Sequence, residues 1–196
     1  MPHTAPDSTL AAAAICGFGA QVLRPGIPPG LLARAAAEGL AGAWPLAPGT
    51  PEGQAALASL ARALDPLDAE AIAADNTRLF LGPADPVPVW ESVWTTEEHL
   101  LYAPCEAEVR ACYAASGFAP PCTNEPADHL SLELAFLAAL LSRGEEDAAR
   151  AFLAAHLGRW AAPCLGEIAC RATTDFYRAI PALVAEALAV LAPGEA

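Results

Sequence analysis

Acidic residues and a histidine stand directly before the most apolar segment of the chain, and they are the first candidates for chemistry. In residues 123–134, TNEPADHLSLEL, these are Glu125, Asp128 and His129. Asp128 could orient the neighbouring His129 as a general base, although the sequence shows no accompanying nucleophile. His129 and Glu133, four residues apart on one helix face, could instead share a metal ion, which would need a third ligand. The residues alone favour a structural role, in which the two acids cap a helix and His129 packs between helices.

A second cluster combines aromatic and acidic side chains. Residues 87–102, VPVWESVWTTEEHLLY, place Trp90 and Trp94 four positions apart, beside Glu91 and Glu97. Between positions 91 and 128 there are seven acidic residues and one arginine, a net charge of −6. Aromatic rings beside carboxylates suit an apolar, cationic peptide. Tryptophans that fill a core beneath solvated acids would give the same pattern, so both interpretations stay open.

The composition excludes several classes of protein. The chain has 196 residues, of which 55% are hydrophobic and 17% charged, enough for one compact domain or two small halves that share a core. A quarter of the residues are alanine, and valine and isoleucine are few, which argues for helices and against an all-β fold. Ten arginines oppose 23 acidic residues, and the resulting charge of −13 repels nucleic acid and anionic membranes.

The beginning of the chain predicts no export signal. Its apolar stretch, residues 8–23, follows Asp7 and His3 rather than a positively charged region, and it contains Gly17 and Gly19. The stretch is also shorter than a membrane span. We therefore expect a buried first helix in a cytoplasmic protein that does not insert into the membrane.

Clusters of glycine and proline divide the chain into segments with helical spacing of apolar residues. This pattern predicts an all-α bundle of about nine to eleven helices, in which Asp65 and either Asn124 or Glu125 cap helices. The helix over 126–142 carries two apolar stripes, which places it at the centre. The predicted helices cover about 8–23, 28–40, 51–64, 66–80, 104–116, 126–142, 145–160, 163–171 and 174–191.

A proline-rich segment, GPADPVPV at residues 82–89, interrupts these helices. Three prolines in eight residues cannot continue a helix, so the segment predicts an extended loop. We interpret residues 82–103 as a hinge between an N-terminal helical half, residues 1–81, and a C-terminal half, residues 104–196. The two halves are expected to act as one functional unit.

The cysteines show no CxxC pair and no zinc-ribbon spacing. We expect reduced and mostly buried thiols, while a metal or redox site built from Cys105, Cys112 and Cys122 stays open. The six cysteines are Cys16, Cys105, Cys112, Cys122, Cys164 and Cys170.

Four separated motifs carry a family resemblance. They are DNTRLFLGP at residues 75–83, PVWESVW at 88–94, EPADHLSLEL at 125–134, and the pair FLAAHLGRW and DFYRAIPAL between 152 and 183. Together they resemble the LFxGP, PPWESV, E-P-x-D-H and C-terminal helix motifs of the TorD/DmsD family, the cytoplasmic chaperones that mature molybdenum-containing oxidoreductases. Asn76, where an aromatic residue is usual, and Val89, in place of a second proline, depart from that pattern and leave the subgroup open.

The resemblance implies an all-helical chaperone rather than an enzyme, with no cofactor of its own. Such a protein binds the twin-arginine signal peptide or N-terminus of a molybdoenzyme precursor, of the dimethyl sulfoxide or trimethylamine oxide reductase type. It supports cofactor insertion before the precursor is exported. The resemblance also implies either a monomer or a homodimer whose subunits exchange halves.

The chemistry of such a peptide can be matched to the acidic and aromatic residues. Carboxylates pair bidentately with guanidinium groups, and an apolar helix can lie in a groove beside tryptophans. The predicted signal-peptide-binding residues are Trp90, Glu91, Trp94, Glu97, Glu125, Asp128 and His129.

A function of another class stays open beside this one. The Asp128 and His129 cluster, with Glu133 and the cysteines, could belong to an enzyme or sensor that binds a small molecule or a metal ion. A stoichiometric metal in the purified protein would favour this alternative.

Overall fold

The computed structural model describes residues 5–83, 85–121 and 124–192, which form ten α-helices. Within these residues β-structure is limited to two isolated bridges. The predicted all-α bundle of nine to eleven helices is therefore confirmed. The helices are α1 (Ala5–Val22), α2 (Leu31–Ala37), α3 (Pro51–Leu64), α4 (Ala69–Phe80), α5 (Glu91–Thr95), α6 (Pro104–Ala115), α7 (Leu130–Ser142), α8 (Glu146–Ala155), α9 (Leu157–Arg171) and α10 (Asp175–Leu191).

Capping side chains fix where the helices begin. At α3 the hydroxyl of Thr50 accepts a hydrogen bond from the Gly53 N–H at 3.0 Å, and the helix covers the predicted residues 51–64. The prediction that Asp65 caps the next helix is wrong. Asp65 is instead the C-terminal cap of α3, and Asp68 caps α4 by accepting from the Ala71 N–H at 2.9 Å.

Helix α7 forms the centre of the core. Nine of its 13 residues are buried, in agreement with the two apolar stripes of the sequence. It packs against α1, which also contacts α10, and α10 in turn packs against α3. The approach of α1 is close, because a Cβ atom on Gly19 would lie 2.9 Å from Val184 and 3.5 Å from Leu134.

The N-terminal and C-terminal halves share this core. Asn76 on α4 joins them: its carbonyl oxygen accepts from the Gly26 N–H at 2.9 Å, and its amide donates to the Arg24 carbonyl at 2.9 Å and to the Tyr177 hydroxyl at 2.6 Å. A buried aromatic residue could not make these bonds, so Asn76 has a structural use where it departs from the family pattern. The division at residues 82–103 stays a prediction.

The helix that the sequence predicts over 145–160 is interrupted at His156. The backbone of His156 leaves the helical region, with φ −123° and ψ −94°, and α9 begins at the next residue. Pro163 therefore lies inside α9 instead of near the start of a separate helix. None of the helices in the described part of the chain is both long and apolar enough to cross a bilayer.

The described cysteines are all free, as predicted. Cys16, Cys105 and Cys164 are buried, Cys112 is half-buried and Cys170 is exposed. Cys122 lies outside the described residues. Among the residues that are described, no group of three His, Cys, Asp or Glu side chains could hold a metal ion.

Candidate functional site

The two motifs that the sequence singles out meet at the start of α7. Trp90 and His129 form an isolated antiparallel bridge. The Glu91 N–H donates to the Asp128 carbonyl at 2.9 Å, and the Leu130 N–H donates to the Val89 carbonyl at 2.8 Å. These bonds place the beginning of α5 beside the beginning of α7, and we call this region the α5–α7 junction.

Asp128 is fully buried at the junction and serves the other helix. Its carboxylate accepts a hydrogen bond from the Ser92 N–H at 2.9 Å, so it caps α5 rather than its own helix. Burial raises the pKa of Asp128, and hydrogen bonding from Ser92 opposes that rise only in part. The sequence predicted that Asp128 caps the helix that follows it, and this is wrong: the backbone N–H that it binds belongs to α5.

His129, and not Asn124 or Glu125, is the N-terminal cap of α7. Its Nδ1 accepts from the Ser131 N–H at 3.1 Å, which leaves the ring proton on Nε2. Burial, followed by the positive charge of Arg24, lowers the pKa of His129 to about 4. The ring contacts Trp90 edge to face at 5.5 Å. His129 does not suit a general base, because its lowered pKa makes it a weak base and its Nδ1 lone pair is used in helix capping.

Within the junction, Glu91 makes contacts with residues far along the chain. Its side chain is fully buried, and Oε2 lies 2.9 Å from Nδ1 of His156, the residue at the break between α8 and α9. Arg159 on α9 approaches the other oxygen, with Nη1 3.9 Å from Oε1. His156 and Arg159 belong to the motif FLAAHLGRW but were not among the predicted site residues, because each lies more than 60 positions from Glu91 and no local spacing indicates the contact.

Glu133 points into the core one turn after the cap of α7. It is fully buried, and neither carboxylate oxygen has a hydrogen-bond partner within the described residues. Burial, followed by the charges of Glu91 and Asp128, raises its pKa well above the ordinary value. The raised pKa favours the neutral form of Glu133, which disfavours the role of a metal ligand beside His129.

The loop that carries the acidic motif is fixed from α6. Glu106 accepts a hydrogen bond from the Ala127 N–H at 3.0 Å and pairs with Arg110, while the Tyr113 hydroxyl donates to the Ala127 carbonyl at 2.8 Å. Glu125 is half-buried and lines a cavity of about 230 Å³ that also contacts Arg110 and Tyr113. Both backbone groups of Ala127 are therefore used, which holds the turn before α7 in one conformation.

The more exposed residues at and after α5 are acidic or apolar. Trp90 and Trp94 are half-buried, and the Trp94 indole donates to the Pro88 carbonyl at 2.8 Å. The chain then continues through exposed residues 97–102, EEHLLY, which we call the acidic-apolar segment. Leu100 is 65% exposed and Tyr102 is 70% exposed. Leu101, between them, is also exposed, and adjacent exposed apolar side chains, unlike scattered single ones, mark candidate interaction sites.

The structure thus sorts the predicted residues by burial. Glu91, Asp128 and His129 are buried and hold the junction together, while Trp90 and Trp94 are half-buried. Glu97 is exposed, and Glu125 lines the cavity beside Arg110 and Tyr113 of α6. Sequence reasoning missed the exposure of Leu100, Leu101 and Tyr102, since an apolar run normally predicts a buried face. Whether the seven residues bind a peptide stays a prediction.

The motifs at the junction lie within a region of the chain that is similar to known proteins. Residues 47–165 match the family model described as nitrate reductase delta subunit. The chain is also 29% identical over 127 residues to a protein of Escherichia coli (strain K12) named chaperone protein YcdY, an alignment that covers 63% of this chain and 65% of that relative. The family match covers more than half of the chain and includes α3 to α8 and the whole α5–α7 junction. The chain therefore belongs to the nitrate reductase delta subunit family, which confirms the resemblance to the TorD/DmsD maturation chaperones that its motifs carry.

Proposed function

We propose that this protein is a chaperone that binds the twin-arginine leader of a redox-enzyme precursor in the cytoplasm. The client is a molybdoenzyme of the dimethyl sulfoxide or trimethylamine oxide reductase type, whose export waits until its cofactor is inserted. The observation that carries the proposal is the acidic-apolar segment, in which carboxylates and large apolar side chains are exposed side by side.

The acids of the segment suit the arginines of such a leader. Glu97 and Glu98 are adjacent and exposed, so two guanidinium groups could reach them without moving the core. Guanidinium and carboxylate groups match in their planar, bidentate geometry, whereas the ammonium of lysine offers only a point charge. The net charge of −13 adds a long-range attraction for a cationic peptide.

The apolar residues of the segment suit the hydrophobic part of the leader. Leu100, Leu101 and Tyr102 are exposed, and the half-buried faces of Trp90 and Trp94 adjoin the start of the same segment. An amphipathic helix laid on this surface would bury apolar area on both partners. The buried residues Asp128 and His129 then act mainly by holding the starts of α5 and α7 in place.

Calorimetric titration with two synthetic leaders tests this proposal. One carries the arginine pair, and the other carries lysine at both positions. We expect the arginine leader to bind more tightly, and the double variant Glu97→Gln/Glu98→Gln to weaken its binding about tenfold, since two exposed ion pairs are lost.

The matched control removes two exposed charges elsewhere, in the variant Glu38→Gln/Glu52→Gln. It has the same net charge as the first variant, so it measures the long-range attraction alone. Equal weakening by both variants would show that the segment is not the contact surface. Failure of the arginine leader to bind the unmodified protein would refute the proposed function.

A further inference from the structure

A guanidinium of the chain itself lies over the buried carboxylate of Glu91. Arg159 extends from α9 with a side chain that is 54% exposed, and its Nη1 lies 3.9 Å from Glu91 Oε1. The other oxygen of Glu91 is hydrogen-bonded to His156 at 2.9 Å. Oε1 has no hydrogen-bond partner among the described residues, so its charge is balanced by the ion pair with Arg159 and not by a hydrogen bond.

The geometry of this ion pair is loose. At 3.9 Å the pair lies at the limit of contact, and the same Nη1 also donates to the Ala155 carbonyl at 3.4 Å. By comparison, Arg171 on the same helix donates to Glu167 at 2.6 Å. A half-exposed arginine that makes no hydrogen bond to its partner is held weakly and can be displaced at little cost.

A second unpaired oxygen lies at the same junction. Oδ1 of Asp128 is buried and lacks a hydrogen-bond partner in the described chain, while its Oδ2 caps α5. Buried carboxylate oxygens without a donor are destabilising, and a guanidinium carries five donors in a planar fork. Two carboxylates that each keep one free oxygen at the same junction are therefore chemically suited to an arginine side chain.

We propose that Arg159 is an intramolecular competitor, which occupies in the free protein the carboxylate that an arginine of the client takes on binding. This inference rests on the proposed function and adds a regulation of the same site. Binding exchanges one ion pair for another: the client guanidinium pairs with Glu91, and Arg159 moves into solvent. No bond is made or broken covalently.

The variant Arg159→Gln tests the competition. We expect it to bind the arginine leader about fivefold more tightly than the unmodified protein, with a smaller gain for the lysine leader. The control variant Arg150→Gln removes an arginine of similar exposure, 46% against 54%, from α8, where it pairs with Glu146 rather than with the junction. In a Glu91→Gln background, Arg159→Gln should no longer change the affinity, because the contested carboxylate is absent.

A second measurement does not depend on the leader. Arginine amide, titrated at millimolar concentration and followed by NMR, should shift amide resonances of residues 90–92 in Arg159→Gln and leave them in place in the unmodified protein. A gain in leader affinity no larger than that of Arg150→Gln, or one that persists without Glu91, would overturn the inference while leaving the proposed function intact. If no variant binds either leader, the proposed function fails, and the arginine amide titration alone decides the role of Arg159.

Discussion

Protonation of His129 should control the stability of the α5–α7 junction as the pH falls. Burial, followed by the charge of Arg24, lowers its pKa from 6.5 to about 4. Because the folded value is the lower one, the unfolded chain takes up the proton first, and stability that is fully present above pH 6.5 is lost as the pH falls toward 4. Between about pH 7.5 and about pH 5, these two values correspond to a loss of about 2 kcal/mol.

The substitution His129→Asn isolates this effect. Asparagine keeps a side-chain acceptor for the Ser131 N–H at the start of α7 and does not titrate. We expect the variant to be less stable than the unmodified protein at about pH 7.5, and the difference to shrink by about 2 kcal/mol at about pH 5. Urea unfolding followed by circular dichroism at both pH values measures it, and the remaining titrating groups are shared by the two proteins. A difference that is the same at both pH values would refute a buried, neutral His129.

Three further substitutions test other parts of the structure. Glu133→Gln should stabilise the protein at neutral pH, because burial raises the pKa of Glu133. The gain in unfolding free energy should grow by up to about 1.4 kcal/mol for each pH unit above the ordinary glutamate pKa, and a gain that thermal unfolding shows to be independent of pH would contradict this. Asn76→Ala should lower the free energy of unfolding by about 2 to 3 kcal/mol, since its buried partners lose their hydrogen bonds. The control Thr77→Ala, at the exposed neighbouring residue, should cost under about 1 kcal/mol, and equal losses for the two variants in urea unfolding would count against the role of Asn76. Asp128→Ala should destabilise by about 1 to 3 kcal/mol through loss of the acceptor for Ser92, and Asp128→Asn, which keeps an oxygen, by less; the reverse order would exclude capping.

Local sequence signals were sufficient to predict a helix where the capping residue and the apolar stripe indicate the same boundaries. Thr50 with Pro51 predicts the start of α3 correctly, because the capping bond is made within four residues. Helix α7 begins at Leu130, later than predicted. Pro126 is compatible with a first helical turn, but the carboxylate of Asp128 binds the backbone N–H of Ser92, which lies 36 positions earlier in the chain. A long-range contact therefore decides that boundary, and no local pattern encodes it.

The candidate site follows the same division. The motifs around Trp90 and Asp128 are recognisable in the sequence, and the structure brings them together. Their burial was not predictable, since Glu91 is compensated by His156 and Arg159 from a distant helix pair. Composition shows how many acids the chain carries, and only the fold separates those that build the junction from those that face solvent.

The exposed apolar residues after α5 also affect how copies of this protein behave toward one another. A surface with Leu100, Leu101 and Tyr102 outside the core invites self-association, and Glu97 and Glu98 directly before it act as charged gatekeepers. Their repulsion acts over about 8 Å at physiological ionic strength and weakens as salt is added. The acids that suit a cationic partner thus also protect the unoccupied surface from a second copy, and the colloidal stability of the free protein should decline with rising salt and recover when a partner covers the segment.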